Sequence, residues 1–314
     1  GTLKSNLCIS GNKLLYEFCK DKRINYKNCG KIIVATSEKD LGSLKKLETN
    51  ARKLSIKHRF LDDRRLKDLY PLLNAKYALE VFSSGIIDSH GFMTAIHNEL
   101  IEKDVDIAYM TEVVGLRKID EGYLINLKNP DGTISSISSS IVVNSSGLYS
   151  NIISNMLGIN NQSQKLKFWK GSYFSLKNRR AQLLDKLIYP IPNKNLHGLG
   201  IHTTINLNGE IMLGPDSEYI GEKIDFNYQV EADKKETFYK SVKAYLPFIK
   251  IKDLEPSFAG IRPKLQSPNE GFMDFIIRNE KDRECLNFIN LVGIESPGLT
   301  SSLSIGEYVS SLVI

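Results

Sequence analysis

The chain has 314 residues, 41% of them hydrophobic and 25% charged, with a formal net charge of +6. That length supports two interlocked domains with substantial cores, and no apolar run reaches the length of a helical membrane span. Lysines and arginines are scattered. The densest stretch, Lys57 to Lys67, is interleaved with Asp62 and Asp63, so it reads as a solvated helix face and not as a nucleic-acid stripe.

The N-terminus shows no apolar signal segment, which places the expected location in the cytoplasm, with at most peripheral membrane association. Four cysteines, Cys8, Cys19, Cys29 and Cys285, form no C-x-x-C pair and are expected as free thiols. Residues 5–20 predict a helix on Leu7, Leu14, Leu15 and Phe18, with Gly11 interrupting the pattern. A strand follows over Ile32 to Ala35, then a charged helix over 38–54 capped by Ser37, and a short helix from Asp62 or Asp63 to Pro71. Ser89 is the expected cap of a helix from His90 to Lys103. Strands are predicted over 111–118 and 123–128, before the turn signal Asn129-Pro130-Asp131-Gly132.

Ile141 to Asn144 reads as a buried strand running into Ser145-Ser146-Gly147 and a helix over 148–157. From 168 to 213 the alternation is that of an antiparallel sheet, with Leu187 to Pro190 as one of its strands. A helix over 229–246 follows, and Ser257–Arg262 and Phe272–Arg278 read as further strands of the same sheet. Two segments of nucleotide-fold character, 88–165 and 285–314, thus bracket a sheet-rich cap formed mainly by 1–87 and 166–284. Ligands in such folds sit where the domains meet, at the carboxyl ends of parallel strands.

Chemistry-bearing motifs are sparse. Gly198-Leu199-Gly200-Ile201-His202-Thr203 begins like a dinucleotide loop but has Thr203 in place of the third glycine and lies among strands. His197 and His202 flank those glycines without carboxylates at ligand spacing. His202 can be a base or a hydrogen-bonded core residue. Arg262, closing a strand after Gly260-Ile261, can grip a carboxylate with both arms of its fork or serve a structural ion pair. Tyr189 can present its hydroxyl to a cleft or pack as a core aromatic. The tail, Phe288 to Gly306, reads as a buried strand, a Gly/Pro turn and a helix starting among small hydroxyl residues. Such a helix offers N–H groups and a positive dipole end to an anion or electron-rich ring.

Taken in order, these segments resemble the FAD-dependent L-2-hydroxyglutarate dehydrogenase/oxidase family within the D-amino-acid-oxidase-like (DAO-like) superfamily. The resemblance rests on Leu3 to Asn12, Cys29-Gly30-Lys31-Ile32-Ile33-Val34-Ala35-Thr36, Asn144-Ser145-Ser146-Gly147 and Leu187 to Pro192. It continues through Gly200-Ile201-His202-Thr203, Gly214-Pro215, Ala259-Gly260-Ile261-Arg262 and Ser296 to Gly306. It implies an α/β protein with an α+β cap: a discontinuous Rossmann-like FAD domain and an antiparallel-sheet substrate domain. It further implies that Asn144, Ser146 and Gly147 border the flavin and its diphosphate, and that Gly298, Leu299, Thr300, Ser301 and Ser302 approach the pyrimidine side of the flavin ring. His202 would take the C2 hydroxyl proton of a 2-hydroxy acid, Arg262 would hold its carboxylate with Tyr189 assisting, and the electron acceptor would be a quinone or oxygen.

Two departures from the family pattern shape expectations. The glycine-rich βαβ unit that holds the FAD diphosphate in the family has no counterpart in these 314 residues. The chain alone is therefore expected to bind FAD poorly and to expose apolar sheet surface where a first strand belongs. In addition, Arg262-Pro263-Lys264-Leu265 stands where hydroxyglutarate enzymes carry R-A-Q-A, which leaves another 2-hydroxy acid or an amine as alternative substrates.

Overall fold

The computed structural model describes residues 1–159, 164–191 and 200–313. Helix α1 (Leu3–Asp21) buries Leu7, Gly11, Leu15 and Cys19, a four-residue spacing that lays one stripe along the helix. Gly11, the interruption in the sequence pattern, sits within that stripe. A Cβ on it would lie 2.4 Å from the Thr300 carbonyl oxygen, so glycine is what lets α1 cross the C-terminal helix at close range. β1 (Tyr26–Lys27), β2 (Lys31–Ala35) and α2 (Leu41–Lys53) follow. Ser37 does start the entry into α2, through a one-turn 3-10 segment in which Asp40 accepts from both its N–H and its hydroxyl.

The basic stretch divides between β3 (His58–Leu61) and α3 (Asp63–Leu69). It is therefore not one helix face, and Arg59 within it pairs with the buried Glu80. β4 (Tyr77–Val81), β5 (Ile86–Ile87) and α4 (Ser89–Glu102) come next. The cap of α4 is Asp88 and not Ser89, because the Asp88 carboxylate reaches the Gly91 N–H at 3.0 Å. β6 (Glu112–Ile119), β7 (Gly122–Lys128) and β8 (Ile134–Ser139) form an antiparallel meander.

β9 (Val142–Asn144) was expected to be buried, yet Val143 is 43% exposed. Among the described residues β9 pairs on one edge only. The remaining elements are α5 (Ser150–Met156), β10 (Lys167–Leu176), β11 (Leu187–Pro190), β12 (His202–Ile205), β13 (Ile211–Gly214), β14 (Glu218–Gly221), α6 (Lys235–Lys243), β15 (Leu254–Lys264), β16 (Ile276–Glu280), β17 (Cys285–Val292) and α7 (Gly298–Ser310).

The cap sheet is antiparallel. β10 pairs with β15 along one edge and with β13 and β14 along the other, and β12 adds beyond β13. β11 does not belong to it, contrary to expectation. It runs parallel to β2 in a separate β11-β2-β4-β3 sheet, and its tie to the cap is the Ile188 N–H bonded to the Thr203 hydroxyl at 2.8 Å. β16 also leaves the expected sheet: it pairs antiparallel with β17, whose other neighbour is the parallel β9. Strand alternation fixes which face is apolar but not which partner is chosen, and both corrections have that origin. One large core lies between the cap sheet, α6 and the β11-β2-β4-β3 sheet. A second, around Leu7, Phe275, Ile289 and Ile305, holds α1 and α7 against β16 and β17. We propose accordingly that α1 and β16 move with the 285–314 part of the FAD domain rather than with the cap.

Candidate active site

His202 opens β12, Tyr189 lies in β11 and Arg262 in β15. Three strands from two sheets thus bring the three sequence-selected residues to one cavity of about 540 Å³. His202 is 6% exposed, and its Nδ1 lies 3.0 Å from the Gly200 carbonyl oxygen. A carbonyl can only accept, so Nδ1 carries the proton and Nε2 is left as the acceptor. Burial drives the imidazole pKa down to about 4. The charges of Arg262 and Lys31 push the same way, against the Gly200 bond. The ring is therefore neutral at pH 7. It stacks on Tyr189 with centroids 3.9 Å apart and planes at 16°. Burial raises the Tyr189 phenol to about 12, so it stays a hydroxyl.

Arg262 stands opposite Trp169 in the β10–β15 ladder, two pairs away from Gly171 opposite Gly260. A Cβ on Gly171 would press Pro215 at 2.9 Å and reach 3.5 Å from Arg262 Nη2. The bare backbone there is the seat of the guanidinium. The Arg262 guanidinium lowers the Tyr173 phenol pKa, against the burial that raises it. Tyr173, stacked on Phe258 at 4.6 Å, was missed from the sequence. The sequence carries half of the signal, since Gly171 and Tyr173 share a strand face, but the arginine opposite comes from a pairing present only in the fold. Lys264 does not wall the cavity. It is buried with its ammonium 4.8 Å over the Trp169 ring, so the charge in Arg262-Pro263-Lys264-Leu265 is held away from it.

Tyr173 and Thr204 also wall a larger cleft of about 1000 Å³, whose lining includes Leu15, Ile86, Phe258, Leu299 and Thr300. The tail therefore reaches the site, and Ser296 faces the smaller cavity. Within the α7 first turn, the Gly298 N–H bonds Glu295 O at 2.6 Å and the Ser301 N–H bonds Pro297 O at 3.0 Å. The Leu299 and Thr300 amides remain as those the helix does not itself satisfy. The hydroxyls of Ser301 and Ser302 turn back to Pro297 O and Leu299 O. Glycine at 298 has a packing reason, since a Cβ would meet Ile294 Cγ2 at 3.0 Å.

Asn144, Ser146 and Gly147 stand at the carboxyl end of β9 and wall neither of these two spaces. Asn144 is a buried clamp. Its amide donates to Ser150 O and Asn290 Oδ1, each at 2.9 Å, and its oxygen accepts from the Ser146 hydroxyl at 2.6 Å. Gly147 has φ +57, the left-handed region that favours glycine. His197 lies outside the described residues, and among those described no cluster of His, Cys, Asp or Glu could hold a metal ion. All four cysteines are free.

Comparison with known proteins adds the lineage. A family model described as FAD dependent oxidoreductase matches residues 2–312. The mitochondrial L-2-hydroxyglutarate dehydrogenase of Arabidopsis thaliana is 32% identical over 352 residues, spanning 99% of this chain and 71% of that protein. The L-2-hydroxyglutarate dehydrogenase of Escherichia coli K12 is 26% identical, over 100% of this chain and 79% of its own. Among solved structures, the dithionite-reduced, FAD-bound L-α-glycerophosphate oxidase of Mycoplasma pneumoniae superposes with a TM-score of 0.85. Its identity is 22%, over 100% of this chain and 80% of that one, a likeness of fold.

Proposed function

The chain belongs to the family of FAD-dependent oxidoreductases, and from that premise we propose that the cap cavity oxidises a 2-hydroxy acid, L-2-hydroxyglutarate, to its 2-oxo acid. The observation that carries this reading is a neutral imidazole with a free Nε2 and a guanidinium on the walls of one cavity of about 540 Å³. Arg262 holds the substrate carboxylate as a fork, with the Tyr173 and Tyr189 hydroxyls beside it. His202 Nε2 accepts the C2 hydroxyl proton, a task suited to an imidazole that is unprotonated at neutral pH. FAD, when bound, supplies the acceptor for the C2 hydride.

The residues present fit the ring end of that cofactor. The larger cleft has apolar walls at Leu15, Ile86 and Phe258, and the Leu299 and Thr300 amides would oppose negative charge at its edge. Ser146 and Gly147 would border the remainder, with Asn144 bracing their turn from behind. An amine substrate finds less support. Arg262 is a cation in the cavity wall, and Asp216, an anion there, is engaged by Lys234 at 2.9 Å.

The test is spectroscopic. L-2-Hydroxyglutarate should bleach the flavin band of the FAD-loaded protein anaerobically, while glycine and other amino acids leave it unchanged; the reverse pattern would sink the substrate assignment. Oxygen uptake against reduction of a quinone analogue then separates the two acceptor classes. Among the described residues no helix is long and apolar enough to cross a membrane.

A further inference from the structure

Tyr189 presents two ring faces, and both are occupied. His202 covers one, with 3.9 Å between centroids. The Lys31 ammonium lies over the same ring, 5.3 Å from its centroid. A face already covered at 3.9 Å has no room for it, so it takes the other. The arrangement is set by strand register. β2 and β11 run parallel with Leu187 opposite Lys31 and Tyr189 opposite Ile33, which puts Lys31 and Tyr189 on the same sheet face as diagonal neighbours. Among the described residues no carboxylate or carbonyl oxygen partners this half-buried ammonium. A lysine held so, away from a counter-ion, needs a compensating contact, and the ring supplies it.

We propose that Lys31 is a positioning residue of the active site: acting through the Tyr189 ring, its charge fixes the His202 imidazole in its orientation toward the cavity. The inference rests on the reading of His202 as the base. The titratable and charged groups around that imidazole are Lys31 from β2, Tyr189 from β11, Tyr173 from β10, Arg262 from β15 and Asp216 just after β13. Asp216 is neutralised by Lys234. The cations therefore dominate, and Lys31 opposes protonation of His202 in the same direction as burial.

The test reads His202 directly, by NMR titration of its ring resonances in the full chain, assigned with His202→Gln. Lys31→Met keeps the apolar stem and removes the charge. It should move the His202 titration upward by roughly half a pH unit, the order expected of one charge acting across a ring. Lys31→Arg keeps a cation over the ring and should restore the wild-type titration. In the FAD-loaded protein the acid limb of kcat/KM should follow the same shifts with KM little changed. Tyr189→Leu removes the ring and keeps the Gly200 bond; in that background Lys31→Met should shift the His202 titration far less. An unmoved titration in Lys31→Met, equal shifts in the Met and Arg variants, or an undiminished Lys31→Met shift in the Tyr189→Leu background would each overturn the proposal. A shifted titration in protein that hydroxyglutarate fails to reduce would leave this role standing and remove the substrate assignment alone.

Discussion

On the cap wall and the β11 strand beside it, Tyr189, His202 and Arg262 project from paired strands to line one cavity, each with its backbone held in a sheet ladder. On the tail wall the polar side chains do the reverse. Ser301 and Ser302 bond back to carbonyls of their own turn. The tail residues that line the cleft there are Leu299 and Thr300. A sheet can aim a side chain because every second residue points one way, whereas a helix start offers its N–H groups whatever the side chains are. Substitutions on the cap wall should therefore act on chemistry, and those on the tail wall on folding.

The largest effect expected is at His202. His202→Ala in the FAD-loaded enzyme should lower kcat by roughly 10²–10⁴-fold, the usual contribution of a general base, with KM nearly unchanged. Arg262→Met should come next, raising KM by roughly 10²-fold as a charged carboxylate contact is lost. If both substitutions act on the same kinetic constant, the division of roles on the cap wall fails.

The third effect separates the walls by pH. His202 titrates near 6.5 when unfolded and about 4 when folded, so between those values the unfolded chain binds more protons. Its contribution is present above 6.5 and is lost as pH falls through 4, a loss of about 3 kcal/mol when complete. Urea unfolding at pH 7 and pH 4 should show that loss in wild type and a smaller one in His202→Gln; equal losses would return His202 to the status of an ordinary surface group.

The smallest effect belongs to the tail wall. Gly11→Ala, 2.4 Å from Thr300 O, should destabilise by roughly 1–3 kcal/mol as α1 is pushed off α7. The kinetic constants of the folded, flavin-loaded fraction should change little, and a large drop in kcat would show that the α7 start must sit to within a fraction of an ångström.

Much of this was legible in the sequence because it is local. Helix α1 with Leu7 and Leu15 on its buried stripe, the start of α3 at Asp62 or Asp63, the turn before α7, and Arg262 after Gly260-Ile261 are readable without knowing any partner. The three side chains chosen there do meet in one cavity. Illegible were facts about partners. β11 and β16 carry the same alternation whichever sheet receives them, and β8 hides its period among serines, with Ile134 and Ile137 left exposed. Gly11 looked like a defect because its reason, the Thr300 carbonyl, lies 289 residues further along the chain. Tyr173 was passed over because its role comes from Arg262, on a strand paired with its own only in space.

Tyr173 walls both spaces at once. Its ring is a common partition, so whatever one occupant does to its rotamer is felt by the other. Thermodynamic reciprocity then applies: a diacid that tightens cofactor retention by some factor is itself retained more tightly, by the same factor, in the loaded protein than in the bare one.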